Sequence, residues 1–192
     1  MIWWSQGMEA VLEEDVAMAD AAIRSFAAVC AGMGRRPACV FMIHPKVDRI
    51  RGGYIGEIRR RLIAAAADCS VSVIVPDGIS LEDLNFGADL ICAVTSTEEI
   101  KSTIAGGPPV LHFAGPAIRR WFEGDLGLCF PYLPDIQAGR SLIACDERAI
   151  LLTMLRAVSP DFLLYRSLRF QAPIIDDAAG RIADLLLRAS GA

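Results

Sequence analysis

Apolar residues along this chain follow two rhythms: short unbroken runs, and longer stretches where they recur every third or fourth position. The first rhythm predicts strands buried on both faces, the second helices with one buried side. Met8 to Met33 reads as a long alanine-rich helix, with Val11, Leu12, Val16, Ile23, Phe26 and Val29 on one side and Gly32 and Gly34 as its stop. Ala38–Ile43 is a strand, and Gly52-Gly53 opens a helix over roughly Tyr54 to Ala67. Val71–Val75 is a second strand, closed by the Pro76-Asp77-Gly78 turn. Ser80 caps a short helix near Leu81–Asn85. Leu90–Thr95 is the third strand and Thr97–Ala105 its helix. Gly106-Gly107-Pro108-Pro109 then leads into a fourth strand, Val110–Phe113. Pro116 opens a helix through Trp121. Leu128–Tyr132 predicts a fifth strand at a sheet edge, because Pro131 excludes a central place. Asp146 starts a helix to Val158, and a last helix over Asp176 to Ala189 carries Ile182, Leu185, Leu186 and Ala189 on one side.

Strands alternating with helices predict an α/β fold: a single Rossmann-like domain, a parallel sheet of about five strands with helices on both faces, joined by right-handed crossovers. Residues 1–34 form an N-terminal helix that packs on a domain spanning 35–192, one compact body. The length of 192 residues suffices for one such core. A hydrophobic fraction of 54% and a mean hydropathy of +0.40 imply an ordered globular chain. No apolar run reaches the 18 or so residues that cross a bilayer. Met1-Ile2-Trp3-Trp4 lacks the basic start of a signal peptide, so the expected compartment is the cytoplasm. The six cysteines show no CxxC pair and read as reduced, mostly buried thiols. Two histidines without clustered ligands give no expectation of a metal.

The net charge of −4 is unevenly spread. Five acidic residues and no basic one lie between Glu9 and Asp20. Eight basic residues against two acidic ones lie between Arg35 and Arg61. The basic stretch reads either as a solvated face or as a field that draws in an anion. No aromatic residues alternate with it, and nucleic acid is not an expected partner.

Candidate chemistry sits at two strand ends. Ala38–Ile43 runs into His44-Pro45-Lys46, and Leu90–Thr95 into Ser96-Thr97-Glu98-Glu99, where Ser96 and Glu99 have the spacing of a capping box. A helix start with hydroxyl side chains offers free N–H groups and a positive dipole end, a ready place for phosphate. The bland alternatives are an imidazole that caps a strand end and ordinary helix capping, worth about 1 kcal/mol. His112, inside an apolar strand, reads as a core histidine bonded to its surroundings.

His44-Pro45, Ser80-Leu81-Glu82-Asp83-Leu84, Ala88-Asp89-Leu90, Ser96-Thr97 and Gly106 before Pro108-Pro109-Val110 together resemble the donor-binding C-terminal half of GT-B-fold glycosyltransferases. The likeness is to the bacterial capsule and lipopolysaccharide enzymes of the Kdo-transferase and polysialyltransferase-like kind. It runs from about Ala38 to the C-terminus and includes Asp176-Asp177-Ala178-Ala179-Gly180-Arg181-Ile182-Ala183. The resemblance implies a nucleotide-sugar donor of CMP or UDP type. His44 would contact its phosphate, Ser96 and Thr97 would hydrogen-bond it, and Pro45, Lys46 and Glu98 would complete the binding set. It implies no further cofactor and assigns no catalytic residue here.

Three departures weigh on that reading. A GT-B enzyme uses two Rossmann domains, and this length supplies one, so transfer would need a partner chain or domain. Lys101 stands where many relatives carry a glutamate. Glu98 and Glu99 occupy the turn where phosphate would dock. At about 6 Å and a dielectric near 20, each repels a unit anion by roughly 3 kcal/mol, against about 0.3–1 kcal/mol from the helix dipole. Two further readings therefore stand beside the first. One is a non-catalytic scaffold or regulatory domain, homo-oligomeric or bound to a partner through Trp3 and Trp4. The other is a different Rossmann-type nucleotide-sugar enzyme such as an epimerase; with no GxGxxG after any strand, a dinucleotide oxidoreductase is the weaker form.

Overall fold

The strand at the centre of the sheet is one that the hydrophobic pattern does not predict. A computed structural model describes residues 1–4, 9–43, 54–75, 78–94, 96–129 and 133–169. In chain order, β1 (Ile2–Trp4) is followed by a 3-10 turn (Glu9–Val11) and α1 (Leu12–Gly32). Next come β2 (Ala38–Met42) and α2 (Tyr54–Asp68), then β3 (Ser72–Val73) and α3 (Leu81–Phe86). After these come β4 (Ile91–Ala93), α4 (Thr97–Ile104), β5 (Val110–Phe113) and α5 (Pro116–Arg120), which runs on as a π-helical segment (Trp121–Asp125). The short α6 (Pro134–Gln137), β6 (Leu142–Ala144), α7 (Glu147–Ala157) and α8 (Pro160–Arg169) complete the described chain. All five strand pairings are parallel, and the order is β3-β2-β1-β4-β5-β6.

This is the α/β sheet expected, with six strands rather than five. Two differences account for the count. The first is β1, where the sequence shows only an apolar start. Ile2 pairs with both Val40 and Ile91, and Trp3 with Phe41 and Cys92. Three residues are too few to display a period, so their strand character comes from the neighbours that pair with them. The second is the far edge. Leu128 and Cys129 are not in a strand; the Leu128 N–H donates to the Phe122 carbonyl and closes the π-helical segment, while residues 130–132 lie outside the described residues. The edge is instead β6, which pairs with β5 through Leu111↔Leu142 and Phe113↔Ala144.

Helix starts follow the sequence closely. The Ser80 hydroxyl accepts from the Asp83 N–H at 3.0 Å, and Asp146 accepts from Ala149 N–H at 2.8 Å. Pro116 is the first residue of α5. Gly34, at φ 65°, takes the left-handed conformation that ends α1, and the Arg35 N–H returns to the Cys30 carbonyl. The final predicted helix over Asp176 to Ala189 lies outside the described residues. No helix among the described residues is long and apolar enough to cross a membrane.

Alternation along the strands divides the core. Trp3, Cys39, Leu90, Cys92, Leu111 and Phe113 join the inner sides of α1, α2 and α7 in one cluster. Trp3 and Phe113 stack with ring centroids 4.9 Å apart. Ile2, Val40, Ile91, Ala93, Val110 and His112 are buried on strand positions between these. The α4 helix sits against this second set through Glu99, which meets His112. From α8, buried Arg166 donates to the Gly107 carbonyl at 2.6 Å and the Arg140 carbonyl at 3.1 Å, fastening that helix beneath the β4–β5 connection.

Candidate functional site

Strand order reverses between β1 and β4: chain runs outward from β1 to β2 and β3 on one side, and from β4 to β5 and β6 on the other. In open parallel sheets, ligands settle in the crevice that opens there, beyond the carboxyl ends of the strands. β2 and β4 flank β1, so their ends reach one edge of the sheet about 10 Å apart at ordinary strand spacing. His44, Pro45 and Lys46 continue from β2 but lie outside the described residues. Ser96 continues from β4, half-buried, and its carbonyl accepts from the Ile100 N–H at 3.3 Å as α4 begins. The backbone of Thr97 and Glu98 opens that helix; their side chains lie outside the described set. Lys101 is exposed on it.

Glu99 departs from the arrangement the sequence implies. It does not face a ligand at the helix start but is wholly buried, its Oε1 3.3 Å from Nδ1 of His112, itself 1% exposed. Burial pushes the Glu99 carboxyl up to about 7. The charge of His112 and the Ser96 backbone N–H pull the other way. The repulsion assigned to Glu99 therefore does not act at full strength. On the far side of the ring, Nε2 of His112 lies 2.9 Å from Oδ2 of Asp135, which also accepts from the Ser141 hydroxyl. Burial alone would lower the imidazole. The two carboxylates and the Val94 carbonyl outweigh it, and His112 lies above its ordinary value. For Asp135 the same contest ends the other way: burial raises it, but the bonds from His112 and Ser141 hold it below the usual carboxylate range. His112 is thus the satisfied interior histidine that its apolar strand implies, and what the sequence did not reveal is its pair of carboxylate neighbours. Asp135 is 23 positions away and Glu99 is 13, and only the β4–β5–β6 register brings them together.

Glu14 is the second residue that sequence reading missed. From the first turn of α1 its carboxylate accepts from the Ala117 N–H at 3.0 Å and the Ile118 N–H at 2.7 Å, capping α5 across more than 100 residues. Gly115 makes the approach possible, since a methyl group there would lie 2.6 Å from the carboxyl carbon of Glu14. Glu13 beside it accepts from the Tyr54 hydroxyl and from Arg61 at 3.3 Å. The acidic run at the start of α1 is therefore not a plain solvated face. Nearby, a cavity of about 730 Å³ is lined by Glu13, Glu14, Met18, Pro116, Asp146 and Arg148. Its carboxylates disfavour an anion.

The basic stretch is divided by the fold. Arg35 and Arg36 precede β2 and lie at the opposite, amino edge, where Arg35 bonds to Asp89 at 3.1 Å. They border an apolar cavity of about 530 Å³ lined by Met1, Ile2, Val40, Ile74 and Leu84. Arg59 and Arg60 are exposed on α2, and Arg61 is engaged by Glu13. Lys46, Arg49 and Arg51 fall outside the described residues. All six cysteines are free; burial pushes Cys39 up to about 11 and Cys92 further, so neither is a ready thiolate. Among the described residues, no group of three or more His, Cys, Asp and Glu is arranged to hold a metal. No family model matches the chain, and no curated protein is similar enough to it to count as a relative.

Proposed function

We propose that this chain is the donor-binding half of a glycosyltransferase-like system for bacterial surface polysaccharide. It would take the phosphate of a CMP- or UDP-type nucleotide sugar at the start of α4. The observation that carries the reading is the reversal of strand order beside β4, with Ser96 at the opening of the helix that follows. Backbone N–H groups and the helix dipole favour an anion there, and the burial of Glu99, which raises its carboxyl to about 7, weakens one of the two charges that would oppose it. In this reading His44, Pro45 and Lys46 approach from the end of β2, Thr97 adds a hydroxyl and Glu98 borders the ligand. A partner chain or domain brings the acceptor and the catalytic group. Calorimetric titration of the chain with CMP, UDP and CDP tests it. The reading expects binding that Ser96→Ala weakens by about tenfold, the worth of one charge-assisted hydrogen bond. No heat at millimolar nucleotide, with or without a partner, removes it.

A second reading, a scaffold domain that retains the fold without ligand chemistry, is favoured by Glu14. Its carboxylate already occupies the amides at the start of α5 on the same edge of the sheet. That reading expects no nucleotide heat and a stable complex with itself or a partner by light scattering.

A further inference from the structure

Both ring nitrogens of His112 face only oxygen. Nδ1 lies 3.3 Å from the Val94 carbonyl and 3.3 Å from Oε1 of Glu99, and Nε2 lies 2.9 Å from Oδ2 of Asp135. A neutral imidazole has one nitrogen without hydrogen, and here that lone pair would point at an oxygen lone pair in a site from which water is excluded. The cluster therefore needs one proton more than a neutral histidine and two carboxylates carry. Oδ2 of Asp135 already accepts from His112 and from the Ser141 hydroxyl, bonds that favour its charged form, while its Oδ1 is buried without a partner. On the other side Glu99 is fully buried, its Oε1 3.3 Å from Nδ1, and the Ser96 backbone N–H is the donor that favours its charged form. The groups around the pair are Glu99 from α4, Asp135 from α6, Ser141 before β6, the Val94 carbonyl after β4, and the buried Cys92 thiol within β4. Arg140 is the charged residue bonded to the same turn, its backbone N–H donating to the Asp135 carbonyl at 2.8 Å.

We propose that Glu99 and His112 hold one proton between them, and that this proton sets the charge at the start of α4, and with it the affinity of that helix start for an anion. Glu99 is the third residue of α4, one turn from the Ser96 and Thr97 amides. With the proton present, the three side chains of the cluster sum to −1, and the first turn of α4 tolerates a phosphate. With it gone they sum to −2, the Glu99 carboxylate keeps only the support of the Ser96 N–H, and its field falls on the same helix start. The part that concerns a ligand rests on the function proposed above; the shared proton does not.

Proton-detected and nitrogen-detected NMR of the isolated chain between pH 5 and 9 tests the shared proton without any ligand. The His112 ring and the Ser96 and Thr97 amides are expected to move with one common midpoint in the wild type. In Glu99→Gln, which keeps the shape and cannot ionise, the amide response should vanish and the ring midpoint should fall. A ring and amides that titrate independently in the wild type, or that are unchanged by Glu99→Gln, overturn the proposal. Titration with UDP-glucose, whose diphosphate has no proton to lose in this range, tests the consequence. Affinity should fall about tenfold from pH 6 to pH 8 in the wild type and stay level in Glu99→Gln. Binding that is level in both overturns the coupling to the ligand. No binding at any pH, with ring and amides still moving together, sinks the nucleotide-sugar reading and leaves the shared proton standing.

Discussion

Glu14 joins two helices that are far apart in sequence, and its removal should be felt at both. Glu14→Ala leaves the Ala117 and Ile118 amides without their acceptor. A cost of about 1–2 kcal/mol in urea unfolding is expected, as for the loss of a strong cap, with faster hydrogen exchange at the start of α5. The buried cluster predicts a dependence on pH. Glu99 lies above its ordinary value in the folded chain, so its contribution is whole below that ordinary value and is lost as pH rises through about 7. His112 is also raised, which gives loss in the same direction; Asp135 is lowered, so its contribution is lost only in acid. Because the pair shares one proton and an unfolded histidine binds one below about 6.5, unfolding free energy should decline from pH 5.5 to pH 8.5 by about 1 kcal/mol, and Glu99→Gln should flatten the decline. A wild-type stability that rises over this interval would contradict the arrangement. Of this the sequence showed the interior histidine and the Ser96–Glu99 capping spacing, but not the contacts that Glu14, Glu99 and Asp135 make. Glu14 and Glu99 look like surface residues of helical first turns, and what turns them inward is a partner supplied by a distant strand or loop.

At the level of elements, what could be read was what is local. Ser80, Pro116 and Asp146 mark helix starts through contacts within four residues, and each stands where the sequence puts it. Strands β2, β4 and β5 were legible because burial on both faces writes continuous apolar runs. β1 and β6 have three residues each and take their identity from pairing, which a local pattern does not carry. The central place of β1 makes a sharp prediction. Trp3→Ala removes a side chain 1% exposed that packs on Phe113, and about 3–5 kcal/mol of stability should go with it, by urea unfolding. Conversion of Trp3 to alanine with little loss would argue against a strand there. Arg166 has the corresponding role for α8. Arg166→Met keeps the bulk and deserts two carbonyls, so α8 should exchange its amide hydrogens with far lower protection while β4 and β5 keep theirs.

The whole molecule turns its two sheet edges to different uses. The amino edge holds Arg35, Arg36 and an apolar cavity; the carboxyl edge holds buried and capping carboxylates beside one helix start with a hydroxyl residue. The sequence put Ser96 after one strand, as found, and His44 after another, a position outside the described residues; it did not give the order of the strands, which is what brings the ends of β2 and β4 to either side of β1. The basic stretch from Arg35 to Arg61, which the sequence left as either a solvated face or an anion-drawing field, is split because β2 carries the chain from one edge to the other. The most direct test of the account is an NMR titration of the labelled chain with a CMP-activated or UDP-activated sugar. The account predicts shifts concentrated at Ser96, Thr97 and the residues that follow β1 and β2, with the amino-edge cavity silent. Shifts centred on Ile74, Leu84 and Arg36, or none at millimolar ligand, would contradict it.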